Sequence, residues 1–248
     1  MNREWWASGV FDLDMAGVLF DARRMKLAGM EVRGLRRLAR LRPGASVLDA
    51  ACGIGRHSLE FARLGYKVTG VDVTAAYVTE ARRLSKQKKM SCVSFELGEL
   101  RDLYRFQGGF DLVVNLYNSF GYYRTDSDNF EALRQMAAAL RPGGCLVMDL
   151  SPRETVHSVF KPKDWQAVEG GYLMEKREWT TQGRRLRNEW ILALRGRLRE
   201  IHWDIRLYTV PELKALFRRV GLKDIKTYRD YSGRPWKLGE RLVIKGVK

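Results

Sequence analysis

Two carboxylates and two glycines within residues 47–72 have the spacing of a nucleoside-binding unit. Val47-Leu48-Asp49-Ala50-Ala51-Cys52-Gly53-Ile54-Gly55-Arg56-His57 reads as an apolar strand closed by an acid, then a glycine turn, then a helix start. Seventeen residues past Gly55, a second strand, Lys67-Val68-Thr69-Gly70-Val71-Asp72, ends in another acid. A β-turn-α-β unit with an acid at that distance grips an adenosine ribose, because the carboxylate accepts hydrogen bonds from the sugar hydroxyls. A dinucleotide is the poorer fit. The third glycine of G-x-G-x-x-G is Ser58 here, and Asp49 puts negative charge at the mouth of the turn. A pyrophosphate wants close backbone approach and a helix N-terminus aimed at it, whereas an acid there suits a ligand with a positive centre.

The elements that must position these residues alternate. Residues 20–41 read as a helix, with Val32, Leu35, Leu38 and Leu41 at three-residue steps and Arg42-Pro43-Gly44 as its end. Strands are expected at 46–49, 67–72, 92–96, 110–116 and 145–150, with helices between, Thr74 capping the one over 75–86 and another over 126–140. The rhythm breaks after residue 150. Alternating residues predict three antiparallel strands near 171–180, 185–194 and 198–208. Thr209-Val210-Pro211-Glu212 is a capping box opening a helix that Gly221 ends, and two closing strands near 222–229 and 240–246 flank Ser232-Gly233-Arg234-Pro235. The fold class is therefore α/β: a Rossmann-like doubly wound sheet, mostly parallel with an antiparallel last strand, plus an antiparallel β insertion. The expected divisions are an N-terminal helical lid (1–43), a cofactor-binding core (44–150), the insertion as a substrate lid (151–208), and a last helix with a closing hairpin (209–248).

Composition narrows the partners. The 248 residues, 45% apolar, suit one elaborated α/β domain. Cys52, Cys92 and Cys145 form no disulfide framework, and His57, His157 and His202 lack metal-ligand spacing, so neither a metal nor an oxidising compartment is expected. No apolar run approaches the ~20 residues of a membrane span, and the first residues do not read as a signal peptide, so a cytoplasmic protein is expected. The net charge is +16, and residues 151–248 carry 23 Lys/Arg against 12 Asp/Glu. Such a field suits an anionic partner or a merely solvated arginine-rich surface.

The ordered set, D-x-x-x-G-x-G, a ribose acid at the end of strand two and an acid after strand three, resembles the class I S-adenosylmethionine-dependent methyltransferases over roughly residues 45–150. The resemblance implies S-adenosylmethionine as cofactor, with S-adenosylhomocysteine as product. It implies that Asp49, Ala51, Gly53 and Gly55 form the loop against the methionine moiety, that Asp72 binds the ribose and that Val73 packs on the adenine. Gly98-Glu99-Leu100-Arg101-Asp102-Leu103 resembles a segment that usually reads glycine-aspartate, so Glu99 and Leu100 face the adenine. Asn115-Leu116-Tyr117-Asn118-Ser119-Phe120-Gly121-Tyr122 resembles the fourth motif of small-molecule members, which brings Asn115 and Leu116 to the cofactor. Arg56, at a helix start, is a candidate for the cofactor carboxylate.

Methyl transfer from a sulfonium is an in-line displacement helped mainly by positioning. In such sheets the reacting groups gather at the carboxyl ends of the strands. Tyr117, Asn118, Tyr122 and His157 are the candidates for polar contact with the acceptor. The fourth motif lacks the Asn/Asp-Pro-Pro-aromatic of adenine and glutamine N-methyltransferases, and no cysteine sits where pyrimidine methylation would use one. The leading expectation is N- or O-methylation of a small molecule, in a monomer or homodimer, with Trp5, Trp6, Phe11 and the insertion closing over the site. An RNA methyltransferase is the alternative, with Arg184, Arg185, Arg187, Arg195, Arg197 and Arg199 facing phosphates and Trp190 and Trp203 stacking on bases. A third reading is a protein that binds the cofactor without turnover.

Overall fold

Asp12 and Asp21 divide the N-terminal region into two helices where the apolar period suggests one. The computed structural model describes residues 10–180 and 182–248. Trp5 and Trp6, expected in the lid, lie outside the described residues. Asp12 accepts the Met15 N–H at 2.9 Å and opens Leu13–Leu19 (α1). Asp21 accepts the Arg24 N–H at 2.8 Å and opens Ala22–Leu38 (α2). Each carboxylate satisfies one of the unpaired N–H groups at a helix start. α2 turns Ala28, Val32 and Leu35 inward and leaves most of its arginines in solvent.

The core then follows as Ser46–Ala50 (β1), Arg56–Arg63 (α3), Lys67–Asp72 (β2), Ala75–Gln87 (α4), Val93–Leu97 (β3), Phe110–Asn115 (β4), Asp126–Ala139 (α5) and Leu140–Leu150 (β5). Arg153–Ser158 (α6), Lys163–Val168 (β6), Gly171–Trp179 (β7), Arg185–Leu194 (β8) and Arg197–Arg206 (β9) come next, before Val210–Arg219 (α7), Lys223–Tyr228 (β10) and Leu242–Val247 (β11) close the chain. The main sheet has the order β10-β11-β5-β4-β1-β2-β3, parallel except that β11 runs antiparallel to both its neighbours. The order reverses between β1 and β4, which opens a crevice at their carboxyl ends. One face is covered by α2 and α3, through Val32, Leu35 and Phe61 against Val47, Val114 and Val147. The other is covered by α5 and α7, through Leu133, Met136, Leu213 and Phe217 against Leu48, Val113 and Leu146. The Thr209–Glu212 capping box opens α7 as its sequence foretells.

The second sheet, β6-β7-β8-β9, is antiparallel throughout and has four strands rather than three. β6 is an edge strand with no fully buried residue, so its sequence carries no core-facing alternation. Leu173, Leu192 and Ile201 pack on Val10, Met15 and Val18, so α1 belongs with this sheet. Gly121 ties the two sheets together. Its carbonyl accepts the Arg206 N–H at 2.8 Å, and a Cβ on it would lie 2.2 Å from the Arg206 carbonyl oxygen. Thr74 sits at the start of α4 but its side chain accepts no capping bond; its N–H is taken by Asp72 instead. Among the described residues no helix is long and apolar enough to cross a membrane, and no group of His, Cys, Asp or Glu could hold a metal.

Gly55, expected at the cofactor, fixes the packing of the first turn. It holds φ +80°, and a Cβ would lie 2.6 Å from the Phe95 ring. Gly55→Ala is therefore expected to cost about 2–4 kcal/mol, from left-handed strain and overpacking together. Chemical denaturation checks this, and an unchanged midpoint would mean that the turn relaxes freely.

Candidate active site

A cavity of about 500 Å³ opens at the carboxyl ends of β1, β2 and β4, between the main sheet, α1 and the second sheet. Its first wall is built on β1. Asp49 is buried, and the Ser58 hydroxyl donates to its Oδ2 at 2.6 Å. That bond gives Ser58 a purpose in the place of a third glycine. Burial pushes the Asp49 carboxyl up, while His57, Ser58 and Arg56 pull it down. Ala51 then takes φ +68°, and its N–H and that of Cys52 both donate to the Val71 carbonyl, which locks the loop to β2.

Asp72 joins the loops after β1 and β2. Its Oδ2 accepts the Gly53 N–H at 2.8 Å and its Oδ1 the Thr74 N–H at 2.9 Å. Burial raises its pKa, and these backbone donors oppose the rise. Each oxygen keeps lone-pair capacity, because a carboxylate has about four acceptor positions. Val73, Glu99 and Leu100 line the same end of the cavity. The Glu99 carboxylate is held by Arg101 at 2.8 Å, which also reaches Asp128 at 3.0 Å.

The wall after β4 is strained. Tyr117 and Asn118 both have positive φ, +58° and +63°. Asn118 is fixed on both sides, its N–H donating to the Asp149 carbonyl and its Oδ1 accepting the Ser151 N–H. The Tyr117 hydroxyl donates to Glu31 on α2, in a very short bond. Its ring lies 4.1 Å from the Arg56 guanidinium and 4.9 Å from that of Arg241. Two consecutive left-handed side chains persist only where surrounding contacts over-determine them, a condition common at functional sites.

Residues 47–144 match the family described as a methyltransferase domain. Residues 47–144 thus form a methyltransferase domain. A sugar N-methyltransferase from Streptoalloteichus, KedS8, is 26% identical with a TM-score of 0.66, over 93% of this chain and 92% of that one. The CcbJ methyltransferase of Streptomyces caelestis shares the fold at a TM-score of 0.78 and 18% identity, over 90% and 89% of the two chains. The dTDP-3-amino-3,4,6-trideoxy-alpha-D-glucopyranose N,N-dimethyltransferase of Streptomyces venezuelae is 30% identical over 144 residues, 56% of this chain and 58% of that one. The chain spans about half the length of the curated relatives it matches first.

The cavity gathers Asp49, Ala51, Gly53, Arg56, Asp72, Val73, Glu99, Leu100, Leu116, Tyr117, Asn118 and Tyr122. Three expected residues lie elsewhere. Gly55 packs on Phe95 as described. Asn115 is buried, and its Nδ2 donates to the Ala50 and Ser119 carbonyls at 2.9 and 3.1 Å, so it clips β1 to the loop after β4. His157 is exposed on α6 and stacks on Trp179 at 3.9 Å, outside the cavity. Of the six arginines of the RNA reading, Arg195 and Arg197 stand exposed at the β8–β9 turn, and the other four are ion-paired. Arg184 pairs with Glu212, Arg185 with Asp204, Arg187 with Glu178 and Arg199 with Asp12. Trp190 and Trp203 turn toward the cavity and meet edge to face at 4.8 Å.

Sequence reasoning missed Glu31, His57 and Arg241. Glu31 is buried, and its Oε2 receives Arg56 Nη1 and His57 Nε2, each at 2.8 Å. Burial would raise its pKa, but the hydrogen bond and charge of His57, the Tyr117 hydroxyl and Arg56 outweigh this and hold it at about 2. One signal was available: Glu31 shares the inward stripe of α2 with Ala28, Val32 and Leu35. A carboxylate on such a stripe is expected to have a partner.

Proposed function

We propose that this chain transfers a methyl group from S-adenosylmethionine to a nitrogen or oxygen of a small-molecule acceptor. The observation that carries the reading is that one cavity joins Asp72 to an aromatic chamber under the second sheet. The residues suit the donor. Asp72 retains acceptor capacity for two ribose hydroxyls, Val73 and Leu100 offer apolar walls to a base, and the loop Asp49–Gly53 borders the methionine end. Arg56 stays the candidate for the cofactor carboxylate. When bound, the cofactor supplies an electrophilic methyl on a sulfonium.

The remaining work is positioning. Tyr117 and Asn118, fixed by Glu31 and Ser151, hold the wall beside the transfer, and the second sheet with α1 acts as a lid that excludes water. Burial pushes the Tyr122 phenol up to about 12, so near neutrality it is a protonated hydrogen-bonding group rather than a base. An uncharged amine needs no base before attack, only a later loss of its proton. The sugar N-methyltransferases among the relatives support an amine as the leading acceptor. The free thiols of Cys52, Cys92 and Cys145 support a reducing, cytoplasmic setting.

The test is incubation with methyl-labelled cofactor and a metabolite extract split into small-molecule and RNA fractions. Label is expected in the small-molecule fraction. Label confined to RNA, or intact cofactor binding with label in neither fraction, would overturn the proposal.

A further inference from the structure

Among the described residues the acids that line the cavity are Asp49, Asp72 and Glu99, all at the donor end and all engaged by Ser58, by backbone N–H groups or by Arg101. The opposite wall, formed by the loop after β4, strands β7, β8 and β9 and the approach to β11, carries Arg177 and Arg241 and no acid among the described residues. Arg177 already pairs with Glu175 at 2.9 Å and Asp164 at 3.5 Å.

Arg241 differs. Its Nε donates to Asp149 Oδ1 at 2.7 Å; its Nη2 is buried and meets no acceptor, and its Nη1 makes no hydrogen bond among the described residues. Asp149 stands behind it, 3% exposed, and its other oxygen accepts the Tyr231 hydroxyl. The guanidinium is also held 4.9 Å from the Tyr117 ring centroid. Its side chain keeps 38% of its surface exposed and borders the cavity. The arrangement is a cation anchored from the rear by a buried carboxylate, with its fork left for something else. A guanidinium fork matches the paired oxygens of a carboxylate or phosphate.

We propose that Arg241 receives an oxyanion of the methyl acceptor, so that the acceptor is an amine or alcohol bearing a carboxylate or phosphate group. The inference rests on the methyltransferase reading for the division of the cavity into donor and acceptor halves.

The experiment loads the full chain with S-adenosylhomocysteine by calorimetry and then titrates the complex with inorganic pyrophosphate or with malonate. Wild type is expected to bind at least one of them. Arg241→Gln should weaken that binding about tenfold or more, and Arg241→Lys, which keeps the charge but loses the fork, should fall between. Arg184→Gln, on the surface, should match wild type. Preference for pyrophosphate assigns a phosphoryl group, and preference for malonate a carboxylate. Absence of binding for both anions, or equal binding by wild type and the Arg241 variants, overturns the proposal. Failure of wild type to bind S-adenosylhomocysteine would instead fall on the methyltransferase reading.

Discussion

Asp72→Ala is expected to weaken S-adenosylhomocysteine binding by at least about 100-fold, measured by calorimetry. The reasoning starts from two hydrogen bonds between a carboxylate and ribose hydroxyls, each worth about 1.5–3 kcal/mol, with about 1.4 kcal/mol per tenfold in affinity. A further loss comes from within the protein. Asp72 also takes the N–H groups of Gly53 and Thr74, so its removal frees the loops after β1 and β2 together. Asp72→Asn separates the two contributions. The amide keeps one oxygen, so one of the two backbone N–H groups must face an NH₂ donor, and an intermediate loss of about tenfold is expected. Circular dichroism should show both variants folded. Affinity within about twofold of wild type for Asp72→Ala would remove the ribose role.

What was legible in the sequence was local. Asp49, Gly53, Gly55 and Asp72 sit in one β-α-β unit, where spacing along the chain is almost spacing in the fold. Even there, motif spacing does not tell which side chains face the ligand. Gly55 leaves room for the Phe95 ring, and the Asn115 amide donates to the Ala50 and Ser119 carbonyls. The rest of the site is assembled across long separations. Glu31 meets Tyr117 from 86 residues away, and Arg241 meets Asp149 from 92. No periodicity reports such meetings; they follow from α2 lying beside the β4 loop and from β11 pairing antiparallel with β5. His157 misled for a related reason. A histidine just past β5 is near the site in sequence, but α6 carries it outward onto Trp179.

Glu31→Ala is expected to destabilise the fold by about 3–5 kcal/mol, because it strands the buried Arg56 guanidinium without its carboxylate. Arg56 has 3% of its side chain exposed, so water cannot replace the lost partner. Glu31→Gln keeps the shape and isolates the charge. The carboxyl titrates at about 2 in the folded chain against 4.5 when unperturbed. A depressed folded value means that the carboxylate contributes stability above the unfolded pKa and loses it as pH falls through the folded one. At about 1.4 kcal/mol per pKa unit this is worth about 3 kcal/mol. The difference between wild type and Glu31→Gln in urea denaturation should therefore be full near pH 7 and shrink progressively between about pH 4.5 and pH 2. A difference of equal size at pH 7 and near pH 2 would mean that the ionised form of Glu31 contributes nothing. The amide leaves either the Tyr117 hydroxyl or the Arg56–His57 side without its accepting oxygen, so methyl transfer should suffer more than cofactor affinity. That split separates a residue that shapes the acceptor wall from one that only holds the fold together.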